Sequence, residues 1–247
     1  MGYGADIGWW FRQIPALSRE YRVVAFDNRG VGRSDKPDIP YTMEMMAGDV
    51  AGLLDAIGIE AAHIYGVSMG GYIAQHFALC YPERVTSIIL GCTSCGGSHH
   101  VKSPPEIRDL LHNYERIEQL TPEEHAMETL EVIVSPEFIK NNQDIVDQFI
   151  RKVTEYVTPL HGLIRQEEAI RSHNTYARLP EIKVPTMVIC GDADRMISIK
   201  NSMLLASRIP NAEFIMMDGV GHGFFIEAVD EANKAILDFL KRHPYSG

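Results

Sequence analysis

Gly66-Val67-Ser68-Met69-Gly70 is a G-x-S-x-G, the pattern of a serine held at a sharp strand-to-helix turn. Small residues on either side let the chain turn tightly, so the serine oxygen projects at the strand end, and Gly71 leaves further space for close packing. A serine hydroxyl is a poor nucleophile until a base takes its proton, and the base needs an orienting carboxylate. Gly191-Asp192-Ala193-Asp194 and Gly221-His222-Gly223 supply both residue types, each shortly after an apolar run. The chain order Ser68, Asp194, His222 is the one this turn motif implies. None of the other nine histidines has this Gly-flanked placement at a strand end. The competing account of Ser68 is a residue that only caps a helix in a tight turn.

These groups need strands to hold them. Tyr21 to Phe26 (YRVVAF) reads as a first strand, ending in the Gly-rich turn Asp27 to Ser34. Met43 to Ile57 reads as a helix, with Met46, Val50, Leu53, Leu54 and Ile57 at three- and four-residue spacing. Ala62 to Val67 is a buried strand, followed at once by a helix from Ser68 to about Tyr81 that Pro82 stops. Further strands are expected over Val85 to Leu90, Val184 to Cys190 and Glu213 to Met217, with a closing helix from about Phe225 to Lys241. Such alternation predicts an α/β fold, a mostly parallel sheet with helices on both faces. From about Cys92 to Arg178 the rhythm gives way to polar helical pattern. Helix starts are expected at Ser103-Pro104-Pro105, Thr121-Pro122-Glu123-Glu124 and Ser135-Pro136-Glu137. Residues 1–91 and 179–247 therefore read as the α/β core, and 92–178 as a helical cap over the strand ends.

A chain of 247 residues has room for one large domain, or one domain with an insertion. Its 23 basic and 33 acidic residues give −10 at neutral pH, which argues against nucleic-acid or anionic-membrane partners. No apolar run approaches the roughly 18 residues that span a bilayer. The first residues show no secretory leader, and four cysteines in this length point to a reducing cytoplasm. Cys92-x2-Cys95 followed by His99-His100 has zinc-like spacing, but no second cysteine pair accompanies it, and small residues lining a pocket are the simpler account. Asp27 to Ser34 lacks the Gly-Lys-Ser/Thr ending of a phosphate loop; Gly30 and Gly32 read as turn residues and Arg29 as an ion-pair partner. No cofactor or metal is expected. Trp9, Trp10 and Phe11 read as core before ligand contacts, while Met127, Leu130, Ile133 and Phe138 fit either a pocket wall or the cap's own core.

With the elbow serine, the two strand-end groups and Asp27-x-Arg29-Gly30-x-Gly32-x-Ser34 in place, the chain resembles the α/β-hydrolase superfamily over essentially its whole length. The branch is the serine one with a helical cap, similar to 3-oxoadipate enol-lactonases and related carboxylesterases. The resemblance implies Ser68 as nucleophile, His222 as general base and acid, and Asp194 as the carboxylate holding the imidazole. Asp192 is the rival acid; the family's acid usually stands three residues after the strand-ending glycine, which favours Asp194. It also implies an oxyanion hole from the Met69 N–H and, in Met1-Gly2-Tyr3-Gly4, the Tyr3 N–H, with methionine where the family has histidine. The family usually has three strands ahead of that segment and this sequence has none, so an N-terminally shortened fold is expected. The third of those strands would lie between YRVVAF and AHIYGV. Either YRVVAF shifts to pair with AHIYGV, or another chain contributes a strand, or the reading frame has been taken too short. An unpaired inner strand predicts self-association, a homo-oligomer. The expected activity is cofactor-free hydrolysis of a small ester, lactone or thioester through an acyl-enzyme. The alternatives are a carbon–carbon-bond hydrolase of diketo acids, and a non-catalytic, receptor-like homologue with an incomplete oxyanion hole.

Overall fold

Four strands form one parallel sheet in the order β1 (Ala62–Val67), β2 (Val85–Gly91), β3 (Thr186–Gly191) and β4 (Glu213–Met217). They belong to a computed structural model that describes residues 1–245. β2 and β3 lie inside the sheet and are almost entirely buried, which is why they read as unbroken apolar runs. β4 is an edge strand, and its Phe214 and Met216 are exposed.

Side-chain alternation along β2 divides the core in two. Ile88 and Leu90 point to the side covered by helices α1 (Met43–Ala56) and α2 (Met69–Cys80). Ile89 points to the other, where Phe224, Phe225, Ile236 and Phe239 of the C-terminal segment pack. Phe77 of α2 is fully buried in the first cluster. Phe77→Ala is expected to cost about 3–5 kcal/mol, the range for emptying a buried aromatic site, read as a lower urea midpoint at unchanged slope.

The stretch after β2 is helical, as its pattern predicts. It holds α3 (Pro105–His112), α4 (Pro122–Ile133), α5 (Pro136–Asn141), α6 (Gln143–Val153) and α7 (Leu160–Ser172). The first three begin on the expected prolines. Thr121 and Glu124 form a reciprocal capping box at α4, and Ser135 caps α5 by accepting from the Phe138 N–H at 3.1 Å. Two more helices, α8 (Ile199–Arg208) and α9 (Val229–Arg242), flank β4 in sequence. No helix among the described residues is long and apolar enough to cross a membrane.

Three expectations are corrected. Tyr21 to Phe26 is not a strand: it joins no ladder, and β1 pairs with β2 alone. Residues 21–26 and 61–66 instead line one cavity of about 400 Å³. A ladder needs a neighbour within about 4.9 Å, and here open space takes that place. The shift of YRVVAF onto AHIYGV therefore does not occur. β3 begins at Thr186 and not Val184, because the Pro185 carbonyl first meets β2 by accepting from the Ile88 N–H at 2.9 Å. The closing helix is two pieces, Phe224–Glu227 and α9, separated where Ala228 leaves helical dihedrals (φ −113°, ψ 43°).

A buried histidine pair ties the end of the cap to α2. His173 meets His76 at 3.1 Å through Nδ1 and the Ser94 carbonyl at 3.2 Å through Nε2. Burial, followed by His76, lowers the His173 pKa from 6.5 to about 3. The unfolded chain then binds the proton that the folded one refuses, so stability falls as pH drops below 6.5. From pH 6.5 to 5 this one group is expected to remove about 2 kcal/mol. Denaturant melts at both pH values would show it, and His173→Gln should flatten the dependence.

Candidate active site

β1 turns at its C-terminal end into α2, and Ser68 stands at the corner. Its φ of 56° and ψ of −120° lie in a region that non-glycine residues avoid. The strain is held by backbone bonds: the Ser68 N–H donates to Gly91 O at 2.8 Å. The Ser68 carbonyl accepts from the Gly71 N–H at 2.9 Å and from Thr93 Oγ1 at 2.7 Å. Only glycine fits at 66, since a Cβ there would lie 2.1 Å from Gly70 O. The Ser68 side chain makes no capping bond to α2, contrary to the helix-cap account.

At the end of β3, Asp194 is buried and fully engaged. Its Oδ1 accepts from the Met196 N–H at 2.7 Å and the Ile197 N–H at 2.8 Å, and its Oδ2 meets His222 Nδ1 at 2.7 Å. Asp192 points elsewhere, with Oδ1 accepting from the Gly219 N–H at 2.7 Å. The loop carrying His222 passes so close to β3 that a Cβ on Gly191 would lie 1.9 Å from Val220 O. Glu227 holds that loop from the far side, Oε2 accepting from the Gly221 N–H at 3.2 Å and Oε1 from the Ser135 N–H at 3.0 Å. With Nδ1 bound to Asp194, Nε2 is the imidazole nitrogen left for the cavity. His222 and Ser68 line that same cavity, of about 210 Å³, between the strand ends and the cap.

The Met1 to Gly4 segment lies against the serine. A methyl group on Gly2 would come 3.2 Å from Ser68 Cβ. Two side chains fix the segment: Asn28 Nδ2 donates to Met1 O at 3.1 Å, and Gln166 Oε1 accepts from the Gly4 N–H at 2.8 Å. Gln166 also donates through Nε2 to Arg29 O at 2.9 Å, and Thr158 Oγ1 donates to Gly4 O at 3.2 Å. The Tyr3 and Met69 N–H groups make no hydrogen bond to the described residues.

Sequence reasoning missed Gln166, Asn28 and Glu227. Gln166 sits on an amphipathic cap helix where a glutamine reads as solvated, yet it is fully buried. Gln166→Ala should leave the Gly4 N–H and Arg29 carbonyl without partners and loosen Tyr3. The expected result is a fall in kcat of about 10- to 100-fold with KM little changed, below the loss for deleting an oxyanion donor outright. Steady-state kinetics on an activated ester would read it.

Cys92 was expected to be a small pocket-lining residue. It does not line the cavity, but is buried behind it at φ 42°, with one ligand-type atom each of Cys92, Asp194 and His222 within 4.8 Å of one another. Burial, and then Asp194, push its thiol pKa well up, so it faces the carboxylate uncharged. Asp194 and the Nδ1 of His222 are already committed to the bonds above, which leaves a poor ligand set for a metal. Trp10 is core, packed on Tyr65 at 4.7 Å between centroids, whereas Trp9 reaches the cavity. Ile133 does both, being buried and lining the cavity; Leu130 belongs to the core. Arg29 pairs with Asp49 at 2.6 Å, as its turn context predicts.

The family model described as alpha/beta hydrolase fold matches residues 2–229. The chain belongs to that family. It is 32% identical over 253 residues to a 2-hydroxy-6-oxo-6-phenylhexa-2,4-dienoate hydrolase of Comamonas testosteroni, covering 98% of this chain and 86% of the relative. It is also 32% identical over 241 residues to a poly(3-hydroxyalkanoate) depolymerase of Ectopseudomonas oleovorans, covering 98% and 82%. Among solved structures, the enol-lactonase of Burkholderia xenovorans LB400 superposes with a TM-score of 0.84 at 28% identity, covering 97% of this chain and 88% of that one. The protein is therefore an enzyme of the α/β-hydrolase type, consistent with a small-molecule substrate.

Proposed function

We propose that this protein is a serine hydrolase that cleaves a small ester, lactone or thioester through an acyl-enzyme. The observation that carries the reading is the 2.7 Å contact of His222 Nδ1 with Asp194 Oδ2, which turns Nε2 to the cavity that Ser68 lines. His222 Nε2 takes the Ser68 proton as Oγ attacks the carbonyl carbon. The oxyanion that forms meets the Tyr3 and Met69 N–H groups. His222 then gives its proton to the leaving group, and the acyl-enzyme is cleared by a water that His222 deprotonates. Asp194 keeps its bond to Nδ1 throughout and stabilises the imidazolium. A fluorophosphonate probe tests the reading: a mass gain of one adduct, mapped to Ser68, is expected. Folded protein that stays unlabelled would point to a non-catalytic member with an incomplete hole.

A carbon–carbon-bond hydrolase of diketo acids is the second reading, favoured by the 32% identity to the dienoate hydrolase. Turnover of a vinylogous diketo acid without ester turnover would establish it. The open side of β1 and the unpaired residues 21–26 support self-association, through which a second copy covers the free edge. Light scattering should report a dimer or larger species; a clean monomer at micromolar concentration, with full activity, would refute that.

A further inference from the structure

Resting on the hydrolase reading above, we infer that the Ser68 cavity selects an uncharged substrate, one with no carboxylate on the acyl chain it holds. Among the described residues no Lys, Arg, Asp or Glu lines this cavity of about 210 Å³. Its wall away from Ser68 and His222 is largely aliphatic and aromatic, with hydroxyls as the main polar groups. Several of those hydroxyls are already committed. Thr129 Oγ1 donates to His125 O at 2.8 Å, Thr154 Oγ1 to Ile150 O at 2.8 Å, and Tyr3 shares its hydrogen bond with Tyr114 at 3.2 Å. A carboxylate entering here would lose its water and find neither a cation nor a sufficient set of donors.

The basic groups around the wall do not reach in. Arg116 is held by Glu128, and Arg171 by Glu167. Arg33 lies 5.8 Å from the Tyr156 ring centroid, and it and Lys152 line a neighbouring groove that also holds Asp6, Asp27 and Glu155. Burial lowers the pKa of the Met1 α-amino group from 8.0 to about 6, with Asp27 opposing, and His125 is the remaining titratable lining residue apart from His222, Tyr3 and Tyr156. Burial lowers its pKa below the usual 6.5, Glu128 opposes and Arg116 adds, so it is neutral above pH 7. The net charge of −10 further repels an approaching anion. Of the two readings above, the cavity thus favours an ester or lactone over a diketo acid, whose carboxylate it cannot pair.

The test compares three p-nitrophenyl esters of matched length at pH 7.5: the valerate, the methyl glutarate and the free-acid glutarate. The valerate and methyl glutarate should agree in kcat/KM within about tenfold, and both should exceed the free acid at least a hundredfold. A free acid within threefold of the neutral esters would overturn the inference. Val157 is 68% exposed at the cavity edge, so Val157→Arg adds a cation without disturbing the core. It should cut the preference at least tenfold; an unchanged ratio would also count against the inference. Should no ester be turned over and Ser68 stay unlabelled, the hydrolase reading fails. Selectivity is still read on Ser68→Ala by ligand-observed NMR, where methyl valerate should bind at least tenfold tighter than monomethyl glutarate, and equal binding would refute it.

Discussion

Ser68→Ala is expected to lower kcat on an activated ester by about 10⁴- to 10⁶-fold, the range seen when a serine nucleophile is removed from a working set. The change removes a single oxygen. That oxygen makes no hydrogen bond to any described residue, and alanine at φ 56° is no more strained than serine. The turn, held by the Ser68 N–H to Gly91 O and by Thr93 on the Ser68 carbonyl, should persist. Stability is therefore expected to change by less than about 1 kcal/mol, within the range of substitutions that break no buried contact. Steady-state kinetics and denaturant melts on the same preparations separate the two effects. A variant that keeps a tenth of wild-type turnover would remove Ser68 from the mechanism.

Asp194→Asn should be nearly as damaging, about 10⁴-fold in kcat, and the reason is the tautomer. An asparagine oxygen can still accept from the Met196 and Ile197 amides, so the loop keeps its shape. Its NH₂ group would then face His222 Nδ1, which must become the acceptor. The ring proton moves to Nε2, the nitrogen that has to take the serine proton. Asp192→Asn is the matched control, because Asp192 only accepts from the Gly219 amide and an amide oxygen can do the same. Its activity should stay within about tenfold of wild type, as expected for a substitution outside such a unit. The opposite ranking of the two variants, measured above pH 7.5, would make Asp192 the acid.

Much of the architecture was legible because strong local signals agree with tertiary demands. Pro105, Pro122 and Pro136 open three helices where the Ser/Thr-Pro-acidic pattern places them; at Pro122 and Pro136 the cap is satisfied within four residues, by Thr121 and Ser135. Glu213 to Met217 is a strand over the expected residues, and β2 and β3 differ by one or two positions at their ends. YRVVAF failed for the opposite reason. Its composition suits a strand, but a strand exists only with a partner, and the place beside it is a cavity. Gln166, Asn28 and Glu227 left no mark in the sequence, since a side chain that grips a backbone group across 27 to 162 residues has no characteristic spacing.

The sequence alone determined the family, the succession of strands and helices from Ala62 onward, and which serine, aspartate and histidine stand at strand ends. Those follow from turn chemistry and hydrophobic period, which act over a few residues. Tertiary structure alone decided the rest. It left β1 open on one side and fixed the Met1 to Gly4 segment through Asn28 and Gln166. It also left the cavity walls without Lys, Arg, Asp or Glu among the described residues. Each depends on which distant segments meet, and so on how the whole sheet and cap close around a site no single stretch encodes.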